Sequence, residues 1–299
     1  MSPPENPRRR RRPLAVTLTA LVAAVLVGAA GLSLMLRHVP GRTQLQRFKS
    51  FVAAAQAAHP GALWHIVHDV CVTDKSSLGN PAPCLEVDLA KGYAVIKDPE
   101  RATQILLVPT ARITGIESGA LLGPHAANYW SDAWAARQWL ERSFGGPIPP
   151  DDVGLAVNSR LSRTQDQLHI HIDCVRPEAK ALVQTIQNGL GRHWTRLRPK
   201  LFGRSYDARW IGGEDLDRSD PFSLLAQDPR ARANMGSYAM ALIGAQGPHG
   251  KPGFVLFRRR ETLEDYGAPS AERLLDHRCH ILKPTPGAVT PSRQASPAR

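Results

Sequence analysis

The chain has 299 residues, 42% of them apolar and 21% charged, an ordinary globular composition with enough apolar content to bury a sizeable core. Its net charge of +12 is partly local, because five of the positive charges are consecutive arginines at residues 8–12. The remaining Lys and Arg are scattered among acids. That distribution argues against a nucleic-acid surface and fits anionic lipid or a phosphorylated substrate at least as well.

Behind the arginines, residues 14–36 (LAVTLTALVAAVLVGAAGLSLML) carry no charge. A helix of that length spans about 30 Å of hydrocarbon, and the preceding arginines put residues 1–13 in the cytoplasm as a basic arm. The rival is a cleaved signal peptide, with Gly28, Ala29 and Ala30 as a small-residue cleavage site, but signal cores run to about 7–15 residues. An uncleaved anchor with an exported body is expected. Residues 43–70 have helical spacing interrupted at His59, Pro60 and Gly61, which predicts two helices, followed by a polar loop at 73–83. Residues 85–98 read as a hairpin and 103–109 as a buried strand.

Residues 125–144 predict a helix ended by the Gly- and Pro-containing stretch at 145–150. Its Trp130, Trp134 and Trp139 fit packing on a sheet better than an interfacial aromatic face. Strands are expected at 153–158 and 167–175, then a helix from about Pro177 to Leu190, with proline in its first turn. Further helices are expected near 221–232 and 268–277, and strands at 237–243 and 253–258. Residues 283–299 form a Pro/Ser tail with little to bury, expected to be disordered. Meandering strands with interspersed helices indicate α+β.

Four cysteines, with no CxxC pair, suggest two disulfides in an exported chain rather than a zinc ribbon or redox motif. Three connectivities are possible. The expected pairing is Cys71–Cys84, closing the polar loop, and Cys174–Cys279, tying the C-terminal region to the 167–175 strand.

That strand, QLHIHIDCV, carries the chemistry. Side chains alternate along a strand, so Leu168, Ile170 and Ile172 face the core while Gln167, His169, His171 and Asp173 share the other face. Desolvated polar groups in a row need partners, since an unpaired one costs about 1–3 kcal/mol. Three readings are open: an exposed face with incidental histidines, a metal site with Asp173 or His193 as third ligand, or nucleophilic catalysis at phosphorus by a neutral imidazole.

The flanking residues favour the third. VNSRLSRTQDQLHIH resembles the histidine-triad superfamily, and LLVPTARI at 106–113 resembles that superfamily's earlier strand. More closely, NSRLSRTQDQLHIHIDCVRP, MGSYAMAL at 235–242, DHRCHIL at 276–282, PCLEVDLAKGYAVIKD and LLVPTARITGIES resemble the bacterial CDP-diacylglycerol pyrophosphatases over about residues 45–282.

The resemblance implies a histidine-triad-like antiparallel sheet with packed helices over residues 43–282, behind one transmembrane helix. It implies hydrolysis of CDP-diacylglycerol to CMP and phosphatidate without a metal or other cofactor. His169 matches the nucleophile that forms a nucleotidyl-histidine, and His171 the phosphate-binding third position. Asn158, Thr164 and Gln165 match a polar loop that holds phosphate oxygens or the nucleophile's other nitrogen. Two positions depart from the pattern. Gln167 stands at the first triad position, and an amide carries no positive charge. Arg112 stands where relatives have His, and with Arg160 or Arg163 it is expected to supply the missing charge.

The expected partners are the lipid substrate and the bilayer, with no nucleic acid and no obligate protein partner. The expected location is the bacterial inner membrane with the catalytic domain outside the cytoplasm. The alternatives are an exported nucleotide-ester hydrolase, a CMP transferase of the same fold, and a non-catalytic lipid- or nucleotide-binding module.

Overall fold

A computed structural model describes residues 59–282 apart from 199, 248 and 249. The expected arm and anchor, the helix before His59 and the tail 283–299 lie outside the described residues. No described helix is long and apolar enough to cross a membrane.

The helical pattern after Gly61 runs further than expected: α1 (Ala62–His65) continues through a π-helical stretch (Ile66–Val72) into α2 (Thr73–Leu78). Half of the expected polar loop is therefore helical, ending where Gly79 takes a left-handed φ of 70°. The expected hairpin forms as β1 (Glu86–Asp88) and β2 (Tyr93–Lys97), and β3 (Ile105–Pro109) follows. The 125–144 helix is two, α3 (Tyr129–Ala136) and α4 (Gln138–Phe144), closed by left-handed Gly145 as expected. Next come β4 (Val153–Val157), β5 (Ile170–Val175) and α5 (Pro177–Ile186).

Two strands that the sequence did not predict follow, β6 (Thr195–Arg196) and β7 (Asp207–Gly212). The expected 221–232 helix is interrupted into α6 (Pro221–Ala226) and α7 (Pro229–Arg232), because Asp228 caps a new helix opened by Pro229. The two long strands are β8 (Tyr238–Gln246) and β9 (Pro252–Arg260). Residues 268–277 are not a helix. A 3-10 turn (Glu272–Leu274) leads into β10 (Leu275–Asp276), because the fully buried Leu274 and Leu275 are consecutive and the chain pairs with β5.

All these strands form one antiparallel sheet in the order β1-β2-β3-β5-β4-β8-β9-β7-β6, with β10 also paired to β5. The α+β expectation holds. One sheet face packs on α3 and α4 through Trp130, Trp134 and Leu140, so these tryptophans are core residues. Leu168, Ile170 and Ile172 join that core, as their alternation requires. The opposite face carries two separate apolar patches. Leu63 and Val67 cover Ala94, Ile96, Leu106 and Val108 at one end. Ala179 and Val183 of α5 pack with Ala156, Ala241 and Ile243 further along.

Both expected disulfides are present, with Cα–Cα separations of 5.7 Å for Cys71–Cys84 and 5.1 Å for Cys174–Cys279. The first ties the 62–78 helical segment to the hairpin. The second holds the residues after β10 against β5.

Candidate active site

The site occupies the gap between the two apolar patches. His171 lies directly across from Leu106 on β3 and from Ala156 on β4, so it projects from the face on which one patch ends and the other begins. A cavity of about 450 Å³ opens there, lined by His169, His171, Asn158, Thr164, Arg101 and Glu272 among others. The polar face of the strand is therefore enclosed, not washed by solvent: His169 is 7% exposed and His171 6%.

His169 has a determinate tautomer. Its Nδ1 lies 2.7 Å from the Gln167 carbonyl oxygen, which can only accept, so Nδ1 carries the proton. Nε2 is left with its lone pair. Burial pushes the pKa below the ordinary imidazole value, opposed by the hydrogen bond to the Gln167 carbonyl, so the ring is neutral at physiological pH. A neutral imidazole with one nitrogen spoken for is the form a nucleophile needs.

His171 stands edge-on to His169, ring centroids 4.8 Å apart. The Asn158 amide donates to its Nε2 at 3.3 Å, which places the His171 proton on Nδ1, 3.9 Å from Glu272 Oε1. Burial drives its pKa down to about 3, so it too is uncharged. Glu272 accepts a hydrogen bond from the Asn158 amide at 3.0 Å and faces His277 Nε2 at 3.3 Å. Burial opposes its ionisation, but the hydrogen bonds from His277 and Asn158 outweigh this and hold the carboxyl below the usual range.

His277 Nδ1 in turn donates to Asp173 Oδ2 at 2.9 Å. Burial works against a charge on His277, yet Asp173 and Glu272 raise its pKa to about 9. Asp173 is fully buried and also accepts from Thr103 and from the Cys174 N–H. The result is a polar chain, Asp173–His277–Glu272–Asn158–His171, reaching the cavity from the side pinned by the Cys174–Cys279 bridge.

The sequence profile of the CDP-diacylglycerol pyrophosphatases matches residues 58–283. The chain belongs to that family. A CDP-diacylglycerol pyrophosphatase of Yersinia pestis is 39% identical over 226 residues, which cover 75% of this chain and 86% of that protein. Membership makes the chain a hydrolase of phosphoric anhydrides, and the matched span contains every residue of the polar chain.

Within this CDP-diacylglycerol pyrophosphatase family member, the residues singled out from sequence separate into two groups. Asn158, Thr164, Gln165, His169 and His171 line the cavity. Gln165 also clamps the start of α1, its Oε1 accepting from the Leu63 N–H at 3.0 Å. Gln167, Arg112, Arg160 and Arg163 do not line it. The Gln167 amide is spent on backbone: Nε2 donates to the Pro109 and Ala111 carbonyls, and Oε1 accepts from Ile113 N–H. It clips the segment after β3 to the residues leading into β5.

Arg112 is exposed and lies over the Trp64 ring at 5.1 Å. Arg160 is exposed, its backbone N–H donating to the Gly236 carbonyl. Arg163 is locked between Glu117 and Asp166, packed so closely over Gly115 that a Cβ there would collide with its guanidinium. The loop bearing Arg160 and Arg163 is gripped by buried Glu261, which accepts from the Ser159 and Ser162 hydroxyls at 2.5 and 2.7 Å.

Sequence reasoning missed Arg101, Glu272 and His277. Among the described residues Arg101 is the guanidinium in the cavity wall, 3.9 Å from Glu272. Asp98 and Glu100 line the same wall. As for a metal reading, Asp173 is committed to its hydrogen-bond partners and His193 lines a different cavity, so neither completes a set with the histidine pair.

Proposed function

We propose that this chain hydrolyses CDP-diacylglycerol to CMP and phosphatidate in the 450 Å³ cavity, through a nucleotidyl intermediate on His169. The observation that carries the reading is the His169 Nδ1 hydrogen bond to the Gln167 carbonyl, which leaves Nε2 unprotonated inside a cavity of the right polarity.

In this scheme Nε2 attacks the phosphorus next to cytidine. The bond to the bridging oxygen breaks, its electron pair leaves with phosphatidate, and CMP stays bound to the imidazole. Water then attacks the same phosphorus, the P–N bond breaks, and CMP departs with His169 restored. Arg101 offsets charge on the phosphate oxygens. The Thr164 hydroxyl lines the cavity as a further donor. His171, uncharged and held by Asn158, fixes the His169 ring from the side. The order of strand, polar loop and His-x-His strand supports a histidine-triad-like reading of the fold.

The substrate carries two acyl chains. We therefore read residues 14–36 as a membrane anchor, 1–13 as a cytoplasmic arm, 43–282 as the catalytic domain outside the inner membrane, and 283–299 as a disordered tail.

The test is product analysis. Purified protein given CDP-diacylglycerol should release CMP and phosphatidate, and should turn over soluble CDP esters more slowly. His169→Ala should stay folded, lose at least ~10³-fold in kcat, and form no acid-labile CMP adduct. Binding of CDP-diacylglycerol without CMP release would leave a binding module. Equal preference for soluble esters would leave a general nucleotide-ester hydrolase.

A further inference from the structure

A second and larger cavity, about 740 Å³, lies beside β7 and is lined by Trp194, Arg209, Gln227, Asp228, Arg192 and His193 among others. It belongs to the other face of the sheet. Arg209 pairs with Leu256, a core residue of the α3-covered side, whereas His171 faces the opposite side. Four strand spacings separate β5 from β7, roughly 19 Å.

The charge arrangement at Arg209 is incomplete. The residue is only 8% exposed, yet no described carboxylate forms an ion pair with it. Its described hydrogen bond is long, Nη1 to Gln227 Oε1 at 3.4 Å, and its Nε has no partner among the described residues. The acid in the cavity wall, Asp228, is already consumed. One of its oxygens caps α7, and the other pairs with Arg258 at 2.9 Å. Burial and the neighbouring Arg258 and Arg192 all push the Arg209 pKa down, with no acid opposing them.

Trp194 adds to the surplus. Arg209 and Arg258 both lie over its ring, at 5.5 and 4.4 Å, and its indole N–H is buried without an acceptor among the described residues. Buried cations are normally paired, and unpaired donors ask for a group that only accepts. Arg192 and His193, both exposed, add donors at the rim.

We propose that this cavity is a second anion site, separate from His169, which takes a phosphate group with Arg209 as its principal ligand and Trp194 as its wall. The phosphate could be carried by a nucleotide or by a lipid headgroup, since a guanidinium reads the shared oxygens.

Equilibrium dialysis of the purified full-length protein with labelled inorganic phosphate tests the assignment. One bound equivalent should disappear in Arg209→Gln and be retained in His169→Ala. Gln227→Glu is the second variant. It gives Arg209 an internal carboxylate, so the protein should stay folded with an undiminished melting temperature and still lose that equivalent.

CMP in solution and phosphatidylcholine vesicles with and without phosphatidate separate the two sources. Displacement of the Arg209-dependent phosphate by CMP assigns the nucleotide. Arg209-dependent flotation with phosphatidate vesicles assigns the lipid. Either supports the site. The same number of phosphate equivalents in wild type, Arg209→Gln and Gln227→Glu would overturn it. CDP-diacylglycerol turnover is measured alongside and reports separately on the His169 reading.

Discussion

His277 Nε2 lies 3.3 Å from Glu272 Oε1, and both side chains come from the short stretch that returns to β5 after the two long strands. Through Glu272 and Asn158 this pair reaches His171, and through its other nitrogen His277 reaches Asp173. The site therefore depends on residues about a hundred positions downstream of the histidine pair.

Glu272→Gln should lower kcat by about 10²-fold with little change in KM, because it acts through His171 and not on the substrate. His277→Ala should have a smaller effect alone. The double variant should be little worse than Glu272→Gln, since the two act in one chain. Steady-state kinetics of the three proteins checks this, and additive losses would show that His277 acts independently.

The pH dependence follows from opposite shifts. Burial lowers the His169 pKa, so the acid limb of kcat/KM should fall below the ordinary imidazole range. His277 is raised to about 9 from an unfolded value near 6.5. Its protonation therefore stabilises the fold fully below about pH 6.5, and that contribution is lost as pH rises through about 9. Thermal melts across that window should show Tm declining in wild type, and a shallower decline in His277→Gln.

Gln167 is a structural clip, and its loss should read out as stability. Gln167→Leu strands a buried amide N–H and two backbone carbonyls, each costing about 1–3 kcal/mol if unpaired. Urea denaturation should show a drop of about 3 kcal/mol or more at unchanged m-value. Turnover per folded molecule at low temperature should be largely retained. A large loss of kcat without loss of stability would return Gln167 to the catalytic group.

The arginines should divide by position. Arg101→Gln should cost about 10²-fold in kcat/KM, the usual scale for one lost donor to developing charge. Arg112→Gln and Arg160→Gln, both at exposed positions, should change turnover by about twofold at most, or ~0.5 kcal/mol.

The histidine strand was legible because alternation is a local property. Once Ile170 and Ile172 are buried, His169 and His171 must share the other face. The disulfides were legible for a related reason, since Cys174 lies in that strand and the DHRCHIL segment carries its partner. Glu272 and His277 were not, because 268–277 has helix-like spacing and only a long-range pairing with β5 makes it a turn and a strand. The arginines failed for want of direction. Arg112, Arg160 and Arg163 sit close in sequence to cavity residues, yet Trp64, Gly236 and Glu117 hold them elsewhere, whereas Arg101 enters from a loop with no motif. β6 and β7 escaped notice because Asp207 and Arg209 put charge on a face whose partners, Arg258 and Trp194, are remote or unpatterned.

The Cys174–Cys279 bridge welds the segment that carries His277 to the strand that carries His171. Without the bridge His169 and His171 would still stand on their strand, but the segment carrying His277 would be held to it by non-covalent contacts such as the β10 pairing. Cutting this one tie is expected to loosen His277 and lower turnover while His169 and His171 keep their places on the strand.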